Sequence, residues 1–188
     1  MKKLLAMLVA LALVLSVSLA MAASVDAGDV VNTVTTPAAE EEEATEIPVL
    51  KVEETEETQE LVQELLEAQN STDENVSVAD VFPEEMQVDK KSVVQEVISV
   101  NTNPDFEFEA GKDYDSSVTI TADVSNAKEV RVFLKVSYEN GEDTWFELKN
   151  VRIGEDGHTV TVTYTAEMIS AIQKAKSATL VVLSVPAE

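Results

Sequence analysis

The 188-residue chain has no cysteine and a single histidine, His158. The missing thiols exclude a disulfide, a thiolate zinc site, a cysteine nucleophile and a lipid-modified cysteine anchor. One imidazole excludes a multi-histidine metal site, and any Ser-His-Asp triad would have to be built on His158. Aromatic residues make up only 5% of the chain. Cations are scarce: 13 Lys and Arg stand against 36 Asp and Glu, a formal net charge of −23. Phosphates would repel such a chain, so neither nucleic acid nor an anionic lipid surface is an expected partner. The sequence also lacks a nucleophile elbow, a phosphate-binding glycine loop, a dinucleotide fingerprint and a D-x-[DN]-x-[DN]-G calcium loop.

What is present begins with an address. Lys2 and Lys3 precede a stretch from Leu4 to Leu19 that is apolar apart from Ser16 and Ser18, and Ala20-Met21-Ala22 has the small-x-small form of a cleavage site. Residues 1–22 therefore read as a secretory signal peptide. The apolar run is short of the roughly 20 residues that a membrane-spanning helix needs. No later segment is apolar enough to span, so no membrane span is expected after cleavage. The start and the alanine-rich end resemble a bacterial export signal, which implies a secreted, extracellular or cell-envelope location.

Residues 23–91 read as an acidic arm. From 24 to 91 there are 20 Asp and Glu against three lysines (Lys51, Lys90 and Lys91), a net of −17, and one aromatic, Phe82. Glu40-Glu41-Glu42-Glu43 repels itself and gains nothing by burial, so the arm is expected to be disordered. One island stands out at 55–69, where Leu61, Val62, Leu65, Leu66 and Ala68 gather on one side of a helix and Glu56 and Glu57 suit its N-terminus. It reads either as a transient helix in a spacer or as one that docks on a partner or on the folded domain.

From about residue 92 the period changes to two. Val118, Ile120, Ala122 and Val124 alternate with polar residues, as do Val130, Val132, Leu134 and Val136, and then Val160, Val162 and Tyr164. Such strands have one buried face. Further strands are expected at 93–100, at 145–153 and, briefly, at 106–108, and Leu180–Leu183 is apolar on both faces. A helix after Thr165, with Met168, Ile169, Ile172 and Ala175 on one side, crosses between strands. Residues 92–188 thus read as a mostly β, antiparallel β-sandwich with one short crossover helix. On Ser117–Val124 and Ala178–Val185 the region resembles secreted bacterial immunoglobulin-like or fibronectin-III-like modules. The resemblance covers about half the chain and carries no cysteine pair.

One hairpin can be read in register. A two-residue Asn140-Gly141 turn would set Leu134 opposite Glu147 and bury a carboxylate. A three-residue loop with Gly141 in the left-handed region sets Leu134 opposite Phe146, Val132 opposite Leu148 and Lys135 opposite Trp145. Val151 and Ile153 have the opposite parity to Phe146 and Leu148, so a bulge near Lys149-Asn150 or a change of sheet is expected between them.

In that register Phe133, Lys135 and Trp145 share the outer face and form the candidate contact face. It reads either as a surface for a protein or glycan or as one covered by the N-terminal strand or arm. His158, in Gly154-Glu155-Asp156-Gly157-His158, reads as an exposed turn residue. Asp113, Asp115, Glu142, Asp143, Glu155 and Asp156 lie in or near strand connections, where either a shared Ca²⁺ or plain solvation accounts for them. No catalytic residue, cofactor or metal is expected. The whole reads as a monomeric, non-catalytic secreted binding or spacer module, with a small secreted hydrolase or enzyme-accessory domain as the alternative.

Overall fold

The computed structural model describes residues 48–187. The expected signal peptide at 1–22 and the part of the expected arm from 23 to 47 lie outside the described residues. Within them, eight strands form two antiparallel sheets, joined by two α-helices. In chain order the elements are β1 (Leu50–Val52), α1 (Glu56–Gln69), β2 (Val93–Thr102), β3 (Tyr114–Thr119), β4 (Glu129–Ser137), β5 (Asp143–Glu147), β6 (Lys149–Ile153), β7 (Thr159–Tyr164), α2 (Ala166–Lys174) and β8 (Ser177–Val185). Two short 3₁₀ helices, Val78–Val81 and Glu84–Met86, lie between α1 and β2. One sheet has the order β1-β2-β8-β4-β5 and the other β3-β7-β6.

The alternation places the main core between the sheets. Val132, Leu134 and Val136 of β4 and Leu180 and Val182 of β8 meet Val118 of β3 and Val160, Val162 and Tyr164 of β7, all of them buried. β8 is buried along its whole length. It lies at the centre of the larger sheet with both edges paired, to β2 and β4; Leu180 and Val182 on one face enter the core between the sheets, and Val181 and Leu183 on the other pack with Leu61, Leu65 and Phe82. α2 links the smaller sheet to the larger. Thr165 caps it by accepting from the Met168 amide at 3.3 Å, and Met168, Ile169, Ala171 and Ile172 are buried.

The hairpin at Gly141 has the expected register: Leu134 pairs with Phe146 and Lys135 with Trp145. The Gly141 amide donates to the Tyr138 carbonyl and the Tyr138 amide to that of Glu142, so the loop is Glu139-Asn140-Gly141 with Gly141 at φ +81°. The parity conflict further on is resolved by a change of sheet. β5 belongs to the five-stranded sheet and β6 to the three-stranded one, and Asn150 just after the crossing takes φ +55°. The β6–β7 ladder also shifts register between Lys149 and Arg152.

Three expectations need correction. The segment Phe106–Phe108 forms no strand; its rings pack edge-on against each other and against Tyr114 in the loop before β3. β3 stops at Thr119 because β7, its partner, begins at Thr159, although Ile120 and Val124 are still buried. The third correction is larger. The part of the arm from 48 to 91 is folded onto the domain. β1 pairs with β2 at the sheet edge, and α1 and the first 3₁₀ helix bury Leu61, Leu65, Val78 and Phe82 on the outer face of the large sheet. The charge count missed this because the charge is one-sided. Glu56, Glu60, Glu64 and Glu67 face solvent while Thr58, Leu61, Leu65 and Ala68 face the sheet. A net charge of −17 says nothing about which side of a helix carries it.

Candidate functional site: the covered aromatic face

The outer face of the large sheet is built by strand periodicity. Residues 131, 133 and 135 of β4 alternate outward with 145 and 147 of β5, and they align with Leu183, Val181 and Thr179 of β8. Val97 and Val94 of β2 continue the same rows. The result is an apolar strip, Val97-Val181-Phe133, flanked by Lys135, Trp145, Arg131 and Glu147. The three sequence-predicted contact residues are therefore neighbours on one face.

That face is occupied by the chain itself. Phe133 is 0% exposed, which removes it as a free contact residue. The Phe82 ring sits over it, with centroids 5.0 Å apart, and lies 4.8 Å from Trp145. Trp145 stays half-buried. The Lys135 ammonium lies 5.9 Å from the Trp145 ring centre and 2.9 Å from Asp143 Oδ2. The sheet has lost an outward aromatic platform and gained a second core of Leu61, Leu65, Val78, Phe82, Val94, Phe133, Val181 and Leu183.

Polar contacts fix the covering segment at both ends. The Thr58 and Thr179 hydroxyls lie 2.6 Å apart, and Glu57 pairs with Lys176. The β2–β8 ladder shifts between Val94 and Glu96, and there Gln69 Oε1 accepts from the Val94 amide at 2.7 Å. Arg131 holds the other end. Its Nη1 donates to the Gln87 carbonyl at 2.8 Å and its Nη2 to that of Met86 at 2.7 Å, while Nε donates to Glu147 at 2.9 Å. Its guanidinium also lies 4.8 Å over the Phe133 ring, so one side chain stacks and donates in three directions. Burial raises the Glu147 pKa, but the Arg131 hydrogen bond and charge, helped by Lys149, outweigh it and hold the carboxyl below its usual range. At Asp143 burial likewise pushes upward and loses to the Ser137 and Lys135 contacts.

Sequence reasoning missed Arg131 and Phe82. The signal for Phe82 was that it is the one aromatic of the acidic segment: a ring that large needs more apolar surface to bury it than so acidic a segment supplies. Nothing in the sequence singles out Arg131 before the register of β4 is known.

The other sequence candidates are not brought together. His158 is half-buried, with Nδ1 3.3 Å from the Ile120 carbonyl oxygen. The adjacent Asp156 is committed to its own turn, accepting from the His158 and Thr159 amides and from Thr159 Oγ1. Asp113 accepts from the Ala166 amide at the start of α2, Asp115 pairs with Arg152 and Thr163, and Glu142 holds Asn140. Among the described residues no group of three or more His, Asp or Glu is placed to hold a metal ion, and no helix is long and apolar enough to cross a membrane. Comparison with protein-family models, curated proteins and solved structures finds no match to the chain.

Proposed function

We propose that the chain is an exported, non-catalytic binding or spacer module on an immunoglobulin-like sandwich, acting at or outside the bacterial cell surface as a monomer. Of the two partner classes, protein or glycan, the geometry favours protein. Phe82 carries that choice. A sugar stacks on an open aromatic ring face, and the rings that would offer one, Phe133 and Trp145, are already packed against Phe82. What faces outward over that region is the charged side of α1, with Glu56, Glu60, Glu64 and Glu67 exposed. A surface of one sign selects a partner of the other and makes association salt-sensitive. The partner is accordingly a basic protein surface.

The test offers the mature protein to cell-envelope proteins and to a glycan array, at low and at high salt. Salt-sensitive capture of a protein, with no glycan signal that depends on Trp145, is the expected result. A glycan signal abolished by Trp145→Ala in a folded protein would overturn the partner class. A hydrolytic activity abolished by His158→Ala would overturn the non-catalytic reading.

A further inference from the structure

We propose that Asn140-Gly141, at the tip of the β4–β5 hairpin, is a self-modification site whose reaction the folded hairpin holds in check. An asparagine followed by glycine is open to intramolecular deamidation, because a residue without Cβ lets its backbone nitrogen reach the preceding side-chain carbonyl carbon. The Gly141 nitrogen gives up its proton and attacks Cγ of Asn140. The Cγ–Nδ2 bond breaks, and Nδ2 takes up the proton and leaves as ammonia. Water then opens the five-membered imide. Opening at Cγ leaves an aspartate; opening at the backbone carbonyl leaves an isoaspartate, with the main chain running through Cβ and Cγ. The balance is one water taken up and one ammonia released, with no oxidant, reductant or cofactor.

Access is not the obstacle. Both residues are exposed, and the space around the Gly141 Cα is open. Hydrogen bonds are the obstacle. The nucleophile is engaged, since the Gly141 N–H donates to the Tyr138 carbonyl at 3.0 Å. The electrophile is pinned at both ends by one residue: Asn140 Nδ2 donates to Glu142 Oε2 at 2.7 Å, and the Glu142 amide donates to Asn140 Oδ1 at 3.1 Å. Attack has to break the turn bond and rotate the carboxamide out of this clamp, so the reaction proceeds only through the opened tip. The observed rate is then the open fraction multiplied by the rate in the open chain. Conversion has a structural consequence. It replaces the donor to Glu142 with a third carboxylate beside Glu142 and Asp143. The isoaspartate also adds a backbone atom next to the ladder that sets Lys135 against Trp145.

Peptide mapping of the full chain by mass spectrometry, with isoaspartate quantified at position 140, reads the rate directly. It is run in native buffer and in guanidinium at the same pH, with Asn140→Gln as the blank and Glu142→Ala as the variant that frees Nδ2 but keeps the backbone bond to Oδ1. Conversion is expected to be at least about tenfold faster in guanidinium than in the folded chain, with Glu142→Ala intermediate in native buffer. Equal rates in the folded and unfolded chains, or a native rate unmoved by Glu142→Ala, would overturn the restraint. An unfolded chain that does not convert would overturn the site itself.

Discussion

Phe82 and Phe133, 51 positions apart in the sequence, pack ring to ring at 5.0 Å with their planes tilted by 53°. This contact joins the acidic segment to the sheet. It turns a face that would otherwise be open into a second core, so the two residues should be thermodynamically coupled. Phe82→Ala is expected to cost about 3 kcal/mol, the usual scale for removing a buried phenylalanine. Phe133→Ser should cost more than about 2 kcal/mol for the same reason. The double variant should lose less than the sum, because each single change already breaks the shared contact. Thermal or urea melts of the four proteins complete the cycle, and strict additivity would mean the rings do not interact.

Limited proteolysis follows from the same packing. Because β1, α1 and both 3₁₀ helices are part of the folded body, the resistant fragment should retain residues 48–91 and not begin near 92. A chain started at residue 92 would leave Phe133, Val181 and Leu183 uncovered and should aggregate or bind a hydrophobic dye. A stable, soluble 92–188 fragment with native near-UV signals would contradict this.

The glycines at 141 and 157 separate two costs that are often confused. Gly141 has φ +81° with open space around it, whereas Gly157 has φ +71° and an added Cβ would lie 2.2 Å from Asp123 Oδ1. Gly141→Ala should therefore cost only the left-handed backbone, about 1–2 kcal/mol. Gly157→Ala adds a steric clash at the one buried position of its turn. It should also disturb the bond from the Val124 amide to the Gly157 carbonyl. Melting temperatures should fall in that order; the reverse order would place the strain elsewhere.

The β part of this fold was legible because its information is local. Period-two alternation marks β3, β4 and β7, a run apolar on both faces marks β8, and core parity at Leu134 and Phe146 selects the three-residue loop over the two-residue one. The parity break after Leu148 calls for a bulge or a change of sheet, and the structure has the change of sheet. The covering segment was illegible for an equally physical reason. α1 is held by residues far away in sequence, with Thr58 on Thr179 and Gln69 on Val94. Its own composition resembles that of a solvated spacer. The periodicity at 55–69 showed that a helix was available, but the surface that stabilises it becomes visible only once β2, β4 and β8 are laid side by side. The hairpin register places Phe133, Lys135 and Trp145 on one face, but the Phe82 ring that covers it comes from a segment far away in the sequence.

Arg131 should behave as the clasp of the covering segment. Arg131→Lys keeps the charge but cannot donate at once to Gln87, Met86 and Glu147 while lying over Phe133. A loss of about 1.5 kcal/mol or more is expected, on the scale of hydrogen bonds to charged groups. Hydrogen exchange should show the amides of Val78–Val88 opening before those of β8. If exchange in 78–88 is no faster than in the unaltered protein, Arg131 does not hold the segment.

The pH dependence has two opposing parts, and Glu96 carries the unusual one. Its carboxyl is pushed above its ordinary value by burial, and hydrogen bonds from the Val97 and Thr121 backbone only partly offset the rise. The folded state thus holds this proton more tightly than the unfolded chain does. The resulting stability is full below the unfolded pKa, near 4.5, and is lost as pH rises through the higher folded value. At neutral pH Glu96 is a half-buried carboxylate with no cation among the partners that shift it. Glu147, Asp143 and Asp115 run the other way. Burial raises each of them, but the bonds to Arg131, to Ser137 and Lys135, and to Thr163 and Arg152 hold each below its usual range. Their contribution is present above their unfolded values and lost as the solution is acidified. Glu96→Gln should therefore raise the melting temperature at pH 7 and leave it nearly unchanged at pH 3, where the wild-type carboxyl is already neutral. Glu147→Gln should lower it at pH 7. Melts of both variants across this range separate the two signs, and a Glu96→Gln protein less stable than wild type at pH 7 would show that its ionised carboxylate is a stabilising acceptor after all.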